Sequence, residues 1–241
     1  MMKVTSPENT ESKRIALTGV SRGLGRALVR AFIERGHFVY GCARNAEAIA
    51  ELQQAYEGSG EFSVIDVAGE DEVQAWARQI VEHHGCPDVL INNAALVNEP
   101  CKLWEIPARE AETLFEVNVL GMLNLFRVFV PKFIGKGQGM IINISSGAGR
   151  MGLPGIGAYC GTKWAVEGLT KSLATELPEG VGTVALSPGM VDTDMLRTCF
   201  GEEAASHHDA VQWAATAADY ILEIGPEQSG ESLRTPGGAG D

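Results

Sequence analysis

The sequence offers little for a disulfide or a metal to organise. Its 241 residues contain five cysteines (Cys42, Cys86, Cys101, Cys160, Cys199), an odd number, far apart and with no CxxC pair. That spacing indicates neither a disulfide framework nor a zinc site, and it points to a reducing cytoplasm. Positive charge is also scarce: 19 lysines and arginines face 31 acids, a formal net charge of −12. Such a field repels phosphate backbones and argues against nucleic-acid binding. An anionic cofactor would need its own local donors and cations. Long apolar runs are missing too. None approaches the roughly 18 residues of a membrane span, and Met1–Ser12 lacks the apolar core of a signal peptide.

What is present is ordinary globular material, 45% hydrophobic and 21% charged. Ile15–Thr18, Phe38–Ala43, Phe62–Ile65, Val89–Ile91, Met140–Ile144 and Val184–Leu186 read as buried strands. Between them lie helical faces: Leu24, Ala27, Leu28, Ala31 and Phe32, then Val73, Trp76, Ala77, Ile80 and Val81. Trp213, Ala217, Tyr220, Ile221 and Ile224 supply a last helix. This alternation predicts an α/β fold, a doubly wound Rossmann-like parallel sheet of about seven strands with helices on both faces. With no repeat and no linker-like stretch, residues 13–235 read as one domain. Residues 1–12 and 236–241 read as loose termini, the glycine-rich tail starting at about Thr235. Ligands of such sheets bind beyond the carboxyl ends of the strands, where the strand order reverses.

The first strand runs into Thr18-Gly19-Val20-Ser21-Arg22-Gly23-Leu24-Gly25 and then a helix. Gly19 can take a tight turn, Gly23 leaves room for a pyrophosphate, and Gly25 lets helix and strand approach. The helix N-terminus presents free N–H groups to phosphates. About twenty residues on, where a carboxylate would accept from a ribose 2′-hydroxyl, the chain has Arg44, with no acid before Glu47. Arg44 can pair with a 2′-phosphate bidentately, and Arg22 can add a second cation. The pattern favours NADP(H) over NAD(H).

Tyr159 and Lys163 stand four apart at the start of a helix, so phenol and ammonium share one face. A free tyrosine, pKa about 10, is a poor proton exchanger at neutral pH. A unit charge about 4 Å away at an effective dielectric of 20 is worth roughly 4 kcal/mol, enough to lower that pKa by about 3 units. Upstream, the strand Ile141–Ile144 ends in Ser145-Ser146-Gly147. Either serine can hold a substrate oxygen there, and either can cap or turn the chain.

Together these motifs resemble the short-chain dehydrogenase/reductase family, in its compact single-domain branch, over about residues 13–234. Thr18–Gly25 matches its cofactor loop T-G-x-x-x-G-x-G. Asp66-Val67 matches the adenine-binding position. Asn92-Asn93-Ala94-Ala95 matches N-N-A-G, with Ala95 in place of the usual glycine. Asn118 matches the helix asparagine, and Ser187–Thr193 resembles the P-G-x-V-x-T segment. Ser146 lies thirteen residues before Tyr159, the family's usual distance, which selects it over Ser145.

The resemblance implies a catalytic set of Asn118, Ser146, Tyr159 and Lys163. In it the tyrosine exchanges the proton, the lysine lowers its pKa and holds ribose hydroxyls, the serine positions the substrate oxygen, and the asparagine anchors a relay water. It implies a cofactor site of Gly19, Ser21, Arg22, Gly23, Leu24, Gly25, Arg44, Asp66, Val67, Asn93, Ala94, Tyr159, Lys163, Pro188, Gly189, Val191 and Thr193. The expected reaction is hydride transfer between a nicotinamide and a small to medium carbonyl or alcohol, without a metal. The pairs His83-His84 and His207-His208 read as solvated helix ends. A dinucleotide-binding regulator needs no Tyr–Lys pair, and an epimerase or dehydratase usually carries a larger C-terminal substrate domain.

Met151, Leu153, Met190, Met195, Leu196 and Phe200 are candidates for an apolar substrate wall or for lid packing. Relatives pair through helices corresponding to about Glu110–Ile134 and Tyr159–Leu177, so a homodimer or homotetramer is expected.

Overall fold

The apolar runs resolve into seven parallel strands in one sheet: β1 (Arg14–Thr18), β2 (Phe38–Ala43), β3 (Gly60–Val64), β4 (Val89–Asn92), β5 (Gly139–Ile144), β6 (Val181–Ser187) and β7 (Ser232–Arg234). This computed structural model describes residues 12–236. The strand order is β3-β2-β1-β4-β5-β6-β7. The chain works outward from β1 to β3 and then crosses back to place β4 on the other side of β1, which puts the reversal between β1 and β4. Both faces of the sheet are covered, so its inner strands β1, β2, β4, β5 and β6 are apolar almost continuously, whereas the edge strands β3 and β7 are not. Side chains alternate all the same: Ile15 and Leu17 enter one core while Ala16 enters the other.

On the first face lie α1 (Gly23–Glu34), α2 (Ala46–Ala55) and α8 (Ala210–Glu223). The other face carries α3 (Glu70–His84), α5 (Gly121–Lys136) and α6 (Gly157–Ala174). A short helix α4 (Ala108–Phe115) runs into α5 through one π-helical turn, Glu116–Leu120, and α7 (Asp194–Phe200) follows β6. Local chemistry sets the helix ends. Glu70, Asp71 and Glu72 complement the positive end of the α3 dipole, and Asp209 with Gln212 forms a capping box on α8.

Contrary to the reading of apolar run lengths, among the described residues the continuous helix Ala108–Lys136 is long and apolar enough to cross a bilayer. Half of its apolar window is buried, with Leu125, Phe129 and Phe133 packed into the second core, which is how a core helix sits.

The structure locates one expected element and changes two readings at the chain ends. A seventh strand was expected but not located; β7 is only three residues with a single apolar one, held at the edge by parallel pairing with β6. Thr235, read as the start of a loose tail, is buried; its hydroxyl donates to the Pro188 carbonyl (3.1 Å) and accepts from Trp213 Nε1 (3.0 Å). Ser12, read with the leader, donates to the Gly36 carbonyl at 2.7 Å. The remaining terminal positions, 1–11 and 237–241, lie outside the described residues.

Candidate active site

Above the carboxyl ends of β1 and β4 opens a cleft of about 540 Å³, within the size range of small-molecule and cofactor sites. Its floor is the glycine loop. Gly19 has φ +74°, and a Cβ there would meet Ala94 Cα at 2.8 Å. At Gly25 a Cβ would lie 2.2 Å from the Gly19 carbonyl oxygen, so both positions require glycine. The Thr18 hydroxyl accepts from the backbone N–H groups of Asn93 and Ala94, both at 3.0 Å, and Asn93 Nδ2 donates to the Thr18 carbonyl at 2.8 Å. These bonds lock the loops after β1 and β4 together at the switch point. The start of α1 carries no side-chain cap, so its N–H groups remain available to an anion.

All of the residues assigned to a dinucleotide from the sequence line this one cleft, Arg44 and Asp66 at one end, Tyr159 and Lys163 at the other. Arg44 Nη1 stands 3.6 Å from Asp66 Oδ2. Arg22 Nη1 reaches across the cleft to Asp194 Oδ2 at 3.3 Å. The volume, the glycine cradle and the uncapped helix fit a dinucleotide.

At the opposite end, Tyr159 and Lys163 project from the first turns of α6, both buried. Lys163 Nζ donates to the Ile144 carbonyl at 2.8 Å and lies 5.7 Å from the centre of the Tyr159 ring. Burial drives the lysine down to about 8, opposed by the Glu167 carboxylate. Burial also raises the Tyr159 phenol above its ordinary value, with a hydrogen bond from Ser146 working the other way. This corrects the simple charge estimate made from spacing. The ammonium is held on a strand carbonyl, and desolvation governs the phenol.

Ser146 lines the cleft, and its hydroxyl accepts from the Ala148 N–H at 3.2 Å. Ser145 also reaches the lining, but its hydroxyl donates to the buried Glu167 at 2.7 Å. Asn118 sits in the π-helical turn, outside the main cleft. Its side-chain oxygen accepts from the Leu96 N–H (2.8 Å), and its nitrogen donates to the Leu96 carbonyl (2.9 Å) and Thr162 Oγ1 (3.0 Å). It does border, with Lys163, a small cavity of about 10 Å³, about the minimum volume for one water. The side chain is thus committed to holding the loop after β4 against α6.

Leu153, Met195, Leu196 and Phe200 form part of the cleft wall beside Tyr159; Met151 and Met190 do not. Sequence reasoning missed Ile156 and Cys199, which complete that wall. It also missed Asn98, which is buried and accepts from the Tyr159 N–H at 3.3 Å. The first two carry no motif, and Asn98 lies 61 residues from its partner.

A parallel doubly wound sheet whose switch-point cleft joins a glycine cradle to a buried tyrosine–lysine pair defines a dinucleotide-dependent oxidoreductase. Residues 13–204 match the sequence pattern of the short chain dehydrogenase family, and the chain belongs to that family. It is 40% identical over 224 residues to the NADPH-dependent pterin aldehyde reductase of Arabidopsis thaliana, covering 92% of this chain and 93% of that one. It is 35% identical over 190 residues to 3-oxoacyl-[acyl-carrier-protein] reductase of Staphylococcus aureus, 76% of each chain. Among solved structures it resembles a gluconate 5-dehydrogenase from Burkholderia cenocepacia in complex with NADP and tartrate. There the TM-score is 0.82 at 27% identity, over 94% of each chain.

Proposed function

We propose that this chain is an NADPH-dependent reductase of uncharged small to medium aldehydes or ketones. One observation carries the reading: Ser146, Tyr159 and Lys163 face the same cleft as the glycine cradle and Arg44. Bound in that cleft, the nicotinamide supplies the hydride. Gly23 and the uncapped start of α1 would hold the pyrophosphate, and Arg44 the 2′-phosphate. Ser146 donates to the carbonyl oxygen and fixes it beside the phenol. Tyr159 then gives up its proton to the oxygen as negative charge develops there. Lys163, charged below about pH 8, stabilises the phenolate left behind.

The NADP(H) preference is supported by Arg44 standing where a carboxylate would serve NAD(H), and by likeness to the NADPH-dependent plant reductase and to the Burkholderia dehydrogenase solved with NADP. The wall of Leu153, Ile156, Met195, Leu196, Cys199 and Phe200 carries no charge, which suits an apolar or flat aromatic carbonyl. The likeness to a pterin aldehyde reductase makes aromatic aldehydes the first substrates to assay. We also read the protein as a homo-oligomer. The test is NADPH consumption against a panel of aromatic and aliphatic aldehydes and ketones, with NADH and Tyr159→Phe as controls. Turnover that survives in Tyr159→Phe would overturn the reading.

A further inference from the structure

We propose that Glu167 is a positioning residue for the reaction, anchoring the turn that carries Ser146 and placing a carboxylate one helical turn from Lys163. The inference rests on the reading of Ser146, Tyr159 and Lys163 as the reacting set. Glu167 lies one turn beyond Lys163 on α6, and its side chain is buried at 6% exposure. A buried carboxylate is costly unless fully bonded, and this one is. Its Oε1 accepts from Ser145 Oγ at 2.7 Å and from Arg150 Nε at 3.2 Å, while Oε2 accepts from Ser232 Oγ. Arg150 also donates to the Leu233 carbonyl at 2.9 Å. Ser145 precedes Ser146 and Arg150 closes the same turn, so one oxygen grips it on both sides of the substrate-facing hydroxyl.

The turn lies directly on α6. At Gly149 a Cβ would stand 2.9 Å from the Lys163 carbonyl oxygen and 3.0 Å from Glu167 Cγ. Glycine at that position lets the turn come down onto the helix where the lysine and the glutamate sit. The ionisable groups around the lysine are few. On α6 itself they are the Tyr159 phenol and the Glu167 carboxylate; the turn after β5 brings Arg150, held on Glu167. Strand β5 gives the neutral Ile144 carbonyl, and β4 and the π turn give Asn92 and Asn118. Glu167 is the carboxylate that offsets the burial of Lys163.

Glu167→Gln tests this, because the amide still accepts from Ser145 and Arg150 and can donate to Ser232, keeping the turn but losing the charge. The alkaline limb of kcat/KM belongs to the Tyr159–Lys163 pair together. Removing an adjacent anion should move it down by about one pH unit. Glu167→Asp, which keeps the charge, should return it toward the wild-type position. Arg150→Gln, on the partly exposed turn, removes a cation and should move it up.

The same shift should be seen without turnover, in the pH at which NADPH affinity falls by calorimetry. Wild-type pH profiles in Glu167→Gln, for both kcat/KM and NADPH affinity, would reduce the residue to a structural role and overturn the proposal. If the wild-type protein reduces no carbonyl, the proposed reaction fails, while the binding profile still decides the role of Glu167.

Discussion

Arg44 and Asp66 leave the ends of the neighbouring strands β2 and β3 and meet at the rim of the cleft, Nη1 to Oδ2 at 3.6 Å. Both are partly exposed, so the ion pair itself adds little stability. Its consequence is positional. Asp66 is fixed through its Oδ1, which accepts from the Ala68 N–H at 3.0 Å, and so it draws the guanidinium to that rim. On the proposed reading of Arg44, a 2′-phosphate arriving there would meet a cation already drawn to the rim.

Arg44→Ala should therefore weaken NADPH far more than NADH. Hydrogen bonds to a charged group are worth about 1.5–3 kcal/mol, so the NADPH dissociation constant should rise by roughly 10- to 100-fold. NADH binding should change by less than about 3-fold, since no contact to it is lost. Calorimetric titration of both cofactors measures this, and equal affinities in the wild-type protein would remove its basis.

Substitutions at the two serines should separate catalysis from architecture. Tyr159→Phe keeps the ring and loses the proton, so turnover should fall by about 10²–10⁴-fold, the usual worth of general acid–base assistance. Ser146→Ala should lower kcat while leaving NADPH affinity unchanged. Ser145→Ala removes the hydroxyl that bonds Glu167 and should lower the melting temperature with much less effect on kcat. A larger kcat loss in Ser145→Ala would mean that the catalytic hydroxyl had been assigned one residue too late.

Much of this was legible in the sequence because its determinants are local. Strands β1 to β6 show as apolar runs, the glycine loop as a spacing, and the tyrosine–lysine pair as one helical turn. What escaped depends on partners distant in the chain. Strand β7 has no apolar run and exists through its pairing with β6. Glu167 follows Lys163 by the same four residues that link Lys163 to Tyr159, yet an acid on a helix reads as a solvated one. Its partners Ser145 and Ser232 lie 22 and 65 residues away. The raised phenol of Tyr159 was missed for a related reason: spacing reveals a neighbouring charge but not the depth at which both groups are buried.

Stability should carry a signature of His37. The ring is buried, Nδ1 accepts from the Lys13 N–H at 3.1 Å, and burial together with Lys13 and Arg35 lowers its pKa from the ordinary 6.5. Above about pH 6.5 the ring is neutral in both folded and unfolded chains and adds no pH dependence. As pH falls through that value, the unfolded chain takes up a proton that the folded one refuses, so unfolding is favoured until the lower folded pKa is reached. Denaturant unfolding at pH 7.5 and 5.5 should show His37→Asn losing less stability than wild type on acidification. Parallel losses in the two proteins would exclude His37 as the source.

Assembly is the last expectation, and it follows from apolar side chains left uncovered on the second face. Phe115, Leu120 and Trp164 are 43%, 48% and 54% exposed. They come from α4, the π turn and α6, where Phe115 Cζ would lie 3.7 Å from a Cβ at Gly161, so Phe115 adjoins the outer side of α6. A monomer gains nothing from exposing such a surface, and one this apolar is typical of a protein–protein contact. A second copy related by a two-fold axis would bury the same residues twice, once on each subunit. Light scattering at micromolar concentration should give at least twice the monomer mass. Trp164→Glu should shift that mass toward the monomer, because it would place a charge on the most exposed of these three apolar side chains. A wild-type protein that scatters as a monomer would show that this face does not mediate self-association.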